Sequence, residues 1–199
     1  MPTPNGDIIL SVGDALIVVN VQIDFLPGGS LAVPGGDAVV PVLNRYIADF
    51  SDKRLPIFVT RCWHPADHCS FHIQGGPWPA HCVAGSNGAR FAPNLRFPTE
   101  VTVISKATEA SKDAYSGFSG TSLLAQLREI GAKRLFIGGL ATDYCVLNTV
   151  KDGLAAGFAV LLLADAIAAV NIKPDDEKEA KSAMRRLGAI AIRHEQIES

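Results

Sequence analysis

The chain has 199 residues, 48% of them hydrophobic and 19% charged, so a single domain spanning 1–199 can bury a sizeable core and disorder is excluded. A net charge of −2 and a pI near 6.2 leave no footprint for nucleic acid or for an anionic membrane. Met1–Asp7 lacks a basic region followed by an apolar run, and the longest apolar stretch, around Phe158–Ala164, is far too short to span a bilayer, so no signal peptide, no membrane partner and a cytoplasmic location are expected.

Ala15–Val21 is a continuous apolar run, the mark of a central parallel strand covered on both faces, and its polar residues begin at Asn20, Gln22 and Asp24. Pro27-Gly28-Gly29 and Pro34-Gly35-Gly36 break the chain. Asp37–Asp49 follows with helix spacing at Val39, Val40, Leu43, Ile47 and Phe50. Pro56–Thr60 reads as the next strand. Arg61 to Thr99 is rich in Pro, Gly, His, Cys and Trp without periodicity, which in a compact domain points to an ordered functional loop. Val101–Ile104 is a third strand, closed by Ser105-Lys106. Thr121–Ile130 is a helix stopped at Gly131. Arg134–Ile137 is a strand, Val146–Ala156 a helix, Ala159–Leu163 a strand, Asp175–Leu187 a charged amphipathic helix, and Ala189–Ile192 a short last strand. Strands alternating with helices predict right-handed crossovers and a doubly wound α/β fold: three layers, a mainly parallel sheet with helices on both faces. No G-x-G-x-x-G is present, so a dinucleotide site has no support.

The chemistry gathers at strand ends, where open α/β sheets bind ligands. Asn20, Lys106 and Cys145 each end a predicted strand or open the following turn, so three strands can bring them to one pocket. Cys145 stands where a strand passes into a helix, whose unpaired N–H groups favour a thiolate, and a nearby Lys106 adds to that. From position alone Cys145 reads either as a nucleophile or as a small buried thiol. Cys62-Trp63-His64 with the distant His81 has the spacing of a three-ligand metal site, with His68 and His72 as further candidates; a polar loop without metal has the same composition. With no secretion leader expected, Cys62, Cys69, Cys82 and Cys145 are read as metal-binding or catalytic rather than as disulfides.

Longer stretches carry a resemblance. Leu16–Phe25 with Pro27-Gly28-Gly29-Ser30-Leu31, then Cys62-Trp63-His64-Pro65 through His81-Cys82-Val83, Ser105-Lys106-Ala107-Thr108 with Tyr115-Ser116-Gly117-Phe118, and Gly139–Val146 resemble the nicotinamidase/pyrazinamidase group of isochorismatase-like cysteine hydrolases. The resemblance implies hydrolysis of a small heteroaromatic carboxamide to acid and ammonia through an acyl-enzyme on Cys145. It implies Lys106 as the thiolate's cation, and an oxyanion hole from the N–H groups of Ala141 and Cys145 behind a cis peptide. Phe25 and Trp78 would pack against the substrate ring. A divalent metal would bind at Cys62, His64 and His81, and the protein would be a homo-oligomer. Two positions depart from the family pattern: its catalytic Asp falls on Asn20, and its metal-binding Asp on Cys62. Asn cannot take up a proton at neutral pH, and a Cys/His/His set suits zinc better than manganese. The same departures support a second reading, an altered relative that binds a small molecule without hydrolysing it.

Overall fold

A computed structural model describes residues 8–198. The Met1–Asp7 segment, on which the reading of a missing leader rests, lies outside them. Six strands form, β1 (Asp14–Val19), β2 (Ile57–Cys62), β3 (Thr102–Lys106), β4 (Arg134–Leu140), β5 (Ala159–Ala168) and β6 (Ile190–Ile192). They make one parallel sheet in the order β3-β2-β1-β4-β5-β6. Four α-helices join them, α1 (Val39–Asp52), α2 (Leu123–Glu129), α3 (Leu147–Ala155) and α4 (Asp176–Arg186). None is long and apolar enough to cross a membrane among the described residues.

Period-two alternation divides the core. Leu16 and Val18 of β1, with Val59, Phe136 and Leu161, pack against Leu43, Tyr46, Ile47 and Phe50 of α1. Ala15, Ile17 and Val19, with Leu135, Ile137 and Leu162, face Leu123 and Leu127 of α2, Val150 of α3 and Met184 of α4. Every residue of β1 is buried, as a strand covered on both faces requires. The chain first winds from β1 outward through β2 to β3, then restarts at β4 on the other side of β1 and winds outward to β6. The winding therefore reverses between β1 and β4, and the crevice beyond their carboxyl ends is the place where this architecture holds ligands.

The structure shifts several predicted boundaries. The first strand stops at Val19 because Asn20 turns into the left-handed region at φ 47°. The second and third run on to Cys62 and Lys106, which pair with each other in the ladder. The fifth extends to Ala168 past a register shift against β4 between Ile137 and Gly139. That shift centres on Gly139, at φ 123°, where a Cβ would stand 2.1 Å from the Val19 carbonyl oxygen. Both the dihedral and the contact forbid a side chain, so Gly139→Ala should cost about 3 kcal/mol or more. A urea melt followed by circular dichroism measures it, and a loss below about 1 kcal/mol would contradict the close approach of β1 and β4.

Candidate active site

Asn20 follows β1, Cys62 and Lys106 end β2 and β3, and Cys145 sits in one π-helical turn, Thr142–Val146, between β4 and α3. Parallel pairing puts these ends side by side, and all four side chains are buried. Lys106 is 1% exposed, and an ammonium in that position needs anionic partners. Its Nζ donates to Cys62 Sγ at 3.0 Å, to Cys145 Sγ at 3.5 Å and to the Ala114 carbonyl at 2.9 Å. Asn20 Nδ2 donates to Cys62 Sγ at 3.5 Å, and its Oδ1 accepts from Thr60 Oγ1 at 2.8 Å. Gln22 grips the backbone of Cys62 from both sides, donating to its carbonyl and accepting from its N–H, each at 2.8 Å. Nothing in the spacing of Gln22 singled it out.

The two thiols share the Lys106 ammonium. Donation from Cys145, with the Lys106 cation beside it, holds Cys62 well below the usual thiol range. Cys145 moves the other way, pushed up by its bond to the Cys62 sulfur and then by burial. Burial works against the Lys106 charge, but the two sulfurs outweigh it and raise its pKa above the ordinary lysine value. The donors favour negative charge on Cys62: Lys106 Nζ is closer to it than to Cys145, and Asn20 donates to it as well. Asp24 takes no part: it accepts from Cys82 N–H at 2.6 Å and from Ser30 Oγ at 3.1 Å, tying two loops together.

A narrow cleft opens above the cluster. Phe25 and Trp78 line it, joined by two aromatic residues that the sequence reading did not assign to the ring site, Tyr115 and Tyr144. Trp78 Nε1 donates to Tyr115 Oη at 3.0 Å, and its ring meets Tyr144 edge-on with centroids 5.0 Å apart. Ala141, preceded by a cis peptide, and Cys145 also line the cleft.

His64 and His81 line the same cleft, their rings edge-on with centroids 4.7 Å apart. His64 Nδ1 lies 2.9 Å from the His81 carbonyl, and His81 Nδ1 lies 2.8 Å from the Pro79 carbonyl. A carbonyl only accepts, so in both rings Nδ1 carries a proton and Nε2 is the nitrogen turned to other partners, the orientation that metal-binding imidazoles use. Burial lowers the His81 pKa, which keeps that ring neutral. Cys62 lines the same cleft, so the donors Cys62, His64 and His81 border one space. Among the described residues the tightest cluster of possible ligand atoms is a different one, His64, His68 and Asp113, within 4.8 Å of one another. His68, however, spends both nitrogens: Nδ1 lies 2.8 Å from Ser70 Oγ and Nε2 3.1 Å from the Lys112 carbonyl. It is buried behind the cleft as a loop brace. His72, the other candidate, hydrogen-bonds the Pro77 carbonyl on the exposed side of the loop.

The Isochorismatase domain family matches residues 14–196. The chain belongs to this family. The nicotinamidase of Escherichia coli K12 is 38% identical over 196 residues, covering 88% of this chain and 92% of its own. The nicotinamidase/pyrazinamidase of Mycobacterium tuberculosis is 40% identical, covering 79% of this chain and 87% of its own. Among solved structures, the pyrazinamidase of Pyrococcus horikoshii in complex with zinc superposes with a TM-score of 0.88 at 48% identity, covering 91% of this chain and 99% of that one. PnC1 of L. infantum in complex with nicotinate does so with a TM-score of 0.88 at 36% identity, covering 96% and 97%. This isochorismatase-family chain is accordingly an amide-hydrolysing enzyme, and the reading of a binder without activity is not favoured.

Proposed function

We propose that this protein hydrolyses nicotinamide or a closely related heteroaromatic carboxamide to the acid and ammonia, with Cys145 as nucleophile. One observation carries the reading: a buried lysine joins two thiols beneath an aromatic cleft on the family's scaffold. The ring lies between Phe25 and Trp78, which leaves the carboxamide carbon over Cys145. Sγ attacks that carbon, and the developing oxyanion meets the N–H groups of Ala141 and Cys145. The proton given up by the Cys145 thiol passes to the leaving nitrogen, the C–N bond breaks, ammonia leaves, and water cleaves the thioester to give the acid and restore the thiol. Lys106 stabilises the Cys145 thiolate as it is exposed and regenerated. Asn20 orients the cluster through its bonds to Cys62 and Thr60 but moves no proton. Ammonia release from nicotinamide and from a panel of aliphatic amides tests the reading; turnover of the aliphatic set alone would overturn the substrate class.

The donor chemistry fits a divalent ion, zinc before manganese, held by the Cys62 thiolate and the Nε2 atoms of His64 and His81. Such an ion would offer a Lewis-acid contact to a ring nitrogen. Elemental analysis of protein purified without chelator should find it near stoichiometric. His64→Ala and His81→Ala should each weaken metal retention by about 10-fold or more, because each deletes a donor nitrogen. His68→Ala, whose nitrogens are both spent on the loop, should retain the metal while lowering thermal stability. Loss of metal in His68→Ala with retention in His81→Ala would instead favour the His64, His68 and Asp113 cluster.

A further inference from the structure

We infer that Cys62 and Cys145 form a redox couple, and that hydrogen peroxide or another two-electron peroxide oxidant converts them to an internal disulfide in the floor of the cleft. The inference stands on the placement of two sulfurs and does not need the amidase reading.

The two residues are 83 positions apart in the chain, and no spacing rule connects them. Parallel pairing and the turn after β4 nevertheless bring their thiols to one ammonium group. Both touch Lys106 Nζ, at 3.0 and 3.5 Å. Both line the open cleft, so a molecule as small as a peroxide has a route to them. The other two cysteines are differently placed. Cys82 is fully buried, and burial pushes its thiol further up the scale. Cys69 is half-buried in the loop and is no part of the cleft lining.

The chemistry balances in two displacements. A thiolate of the pair attacks one peroxide oxygen: an S–O bond forms, the O–O bond breaks, and hydroxide leaves, taking a proton to become water. The second sulfur then attacks the resulting sulfenic acid: the S–S bond forms, the S–O bond breaks, and the second oxygen leaves as water. Two thiols and one peroxide give one disulfide and two waters, with two electrons passing from sulfur to oxygen. Lys106 beside both sulfurs favours the attacking thiolate and the departing hydroxide alike. Bond formation draws the two sulfurs from their places on Lys106 Nζ, at 3.0 and 3.5 Å, to about 2.05 Å of each other. In the product the nucleophile is masked and the Cys62 donor is lost to any metal. A second thiol beside the nucleophile thus gives this site a reversible oxidised state where a lone thiol would proceed to sulfinic acid.

The test is a mass-mapped peroxide titration of the protein as purified, with thiols counted in denaturant before and after. The expected result is a fall from the four free thiols to two, one linked peptide joining Cys62 to Cys145, and full recovery with dithiothreitol. In Cys62→Ser the same treatment should leave no link and add two oxygens to Cys145, beyond recovery by dithiothreitol. Ammonia release is followed in parallel but decides nothing about the link, so failure of the amidase reading and failure of this inference remain separable. Sulfinic acid on Cys145 of the wild type with Cys62 still free, or a link from either residue to Cys69 or Cys82, would overturn it.

Discussion

Cys145→Ala should abolish ammonia release from nicotinamide, by roughly four orders of magnitude or more, while leaving the fold intact. The size follows from the role: removing the nucleophile of a covalent mechanism removes the acyl-enzyme route altogether, and residual rate comes only from binding and the oxyanion hole. The fold should survive because the thiol is small and sits at the cleft floor, so the substitution empties little volume and costs about 1 kcal/mol. It also leaves Lys106 with Cys62 as an anionic partner at 3.0 Å, so no buried charge is stranded. Binding should persist, since Phe25, Trp78, Tyr115 and Tyr144 are untouched, and titration calorimetry with nicotinamide measures that separately. The pair structure sharpens the outcome. If Cys145→Ala keeps a tenth or more of the wild-type rate and Cys62→Ala does not, the other sulfur on Lys106 is the nucleophile and the assignment is reversed.

Asn20→Asp should raise the amidase rate by roughly two orders of magnitude, the lower end of what a placed acid–base group contributes. The position accepts the change. Asn20 is fully buried, Asp is nearly isosteric, and both residues tolerate the left-handed backbone found here at φ 47°. One carboxylate oxygen keeps the bond from Thr60 Oγ1 at 2.8 Å. The other replaces Nδ2, which now donates to Cys62 Sγ at 3.5 Å. That exchange sets an acceptor against the sulfur that Asn20 and Lys106 now serve as donors. Cys62 then holds its proton more tightly, the lysine is left to the carboxylate and Cys145, and the new base can serve the nucleophile. Steady-state kinetics of wild type, Asn20→Asp, Cys62→Asp and the double variant separate the possibilities. A wild type that already turns over an amide well and is slowed by Asn20→Asp shows that Asn20 belongs to a different mechanism. Activity in the double variant alone shows that Cys62 has to give up the anion before a carboxylate at 20 can work.

Composition and periodicity were sufficient for the layers and the order of elements. Continuous apolar runs at Ala15–Val21 and Arg134–Ile137 read as buried strands, and alternation with helices then pointed to a parallel doubly wound sheet. The site's strand-end residues were legible for the same reason: a polar residue that interrupts a buried run, as Asn20, Lys106 and Cys145 do, marks the end of the sheet where ligands bind. Strand lengths were not legible, because Cys62 and Ala168 are held by pairing with Lys106 and Leu140, and those hydrogen bonds belong to partners distant in the chain. Side-chain direction was not legible either. Cys62 and His64, with one residue between them, read as two ligands of one ion, yet strand register turns the Cys62 sulfur onto Lys106 and Asn20. His68 carries the same imidazole as His81, and only the positions of Ser70 and the Lys112 carbonyl decide that its nitrogens are spent. Local patterns record which residues are buried and where elements end; which atoms meet is set by contacts between segments far apart in sequence, and in this protein those contacts put two thiols on one lysine.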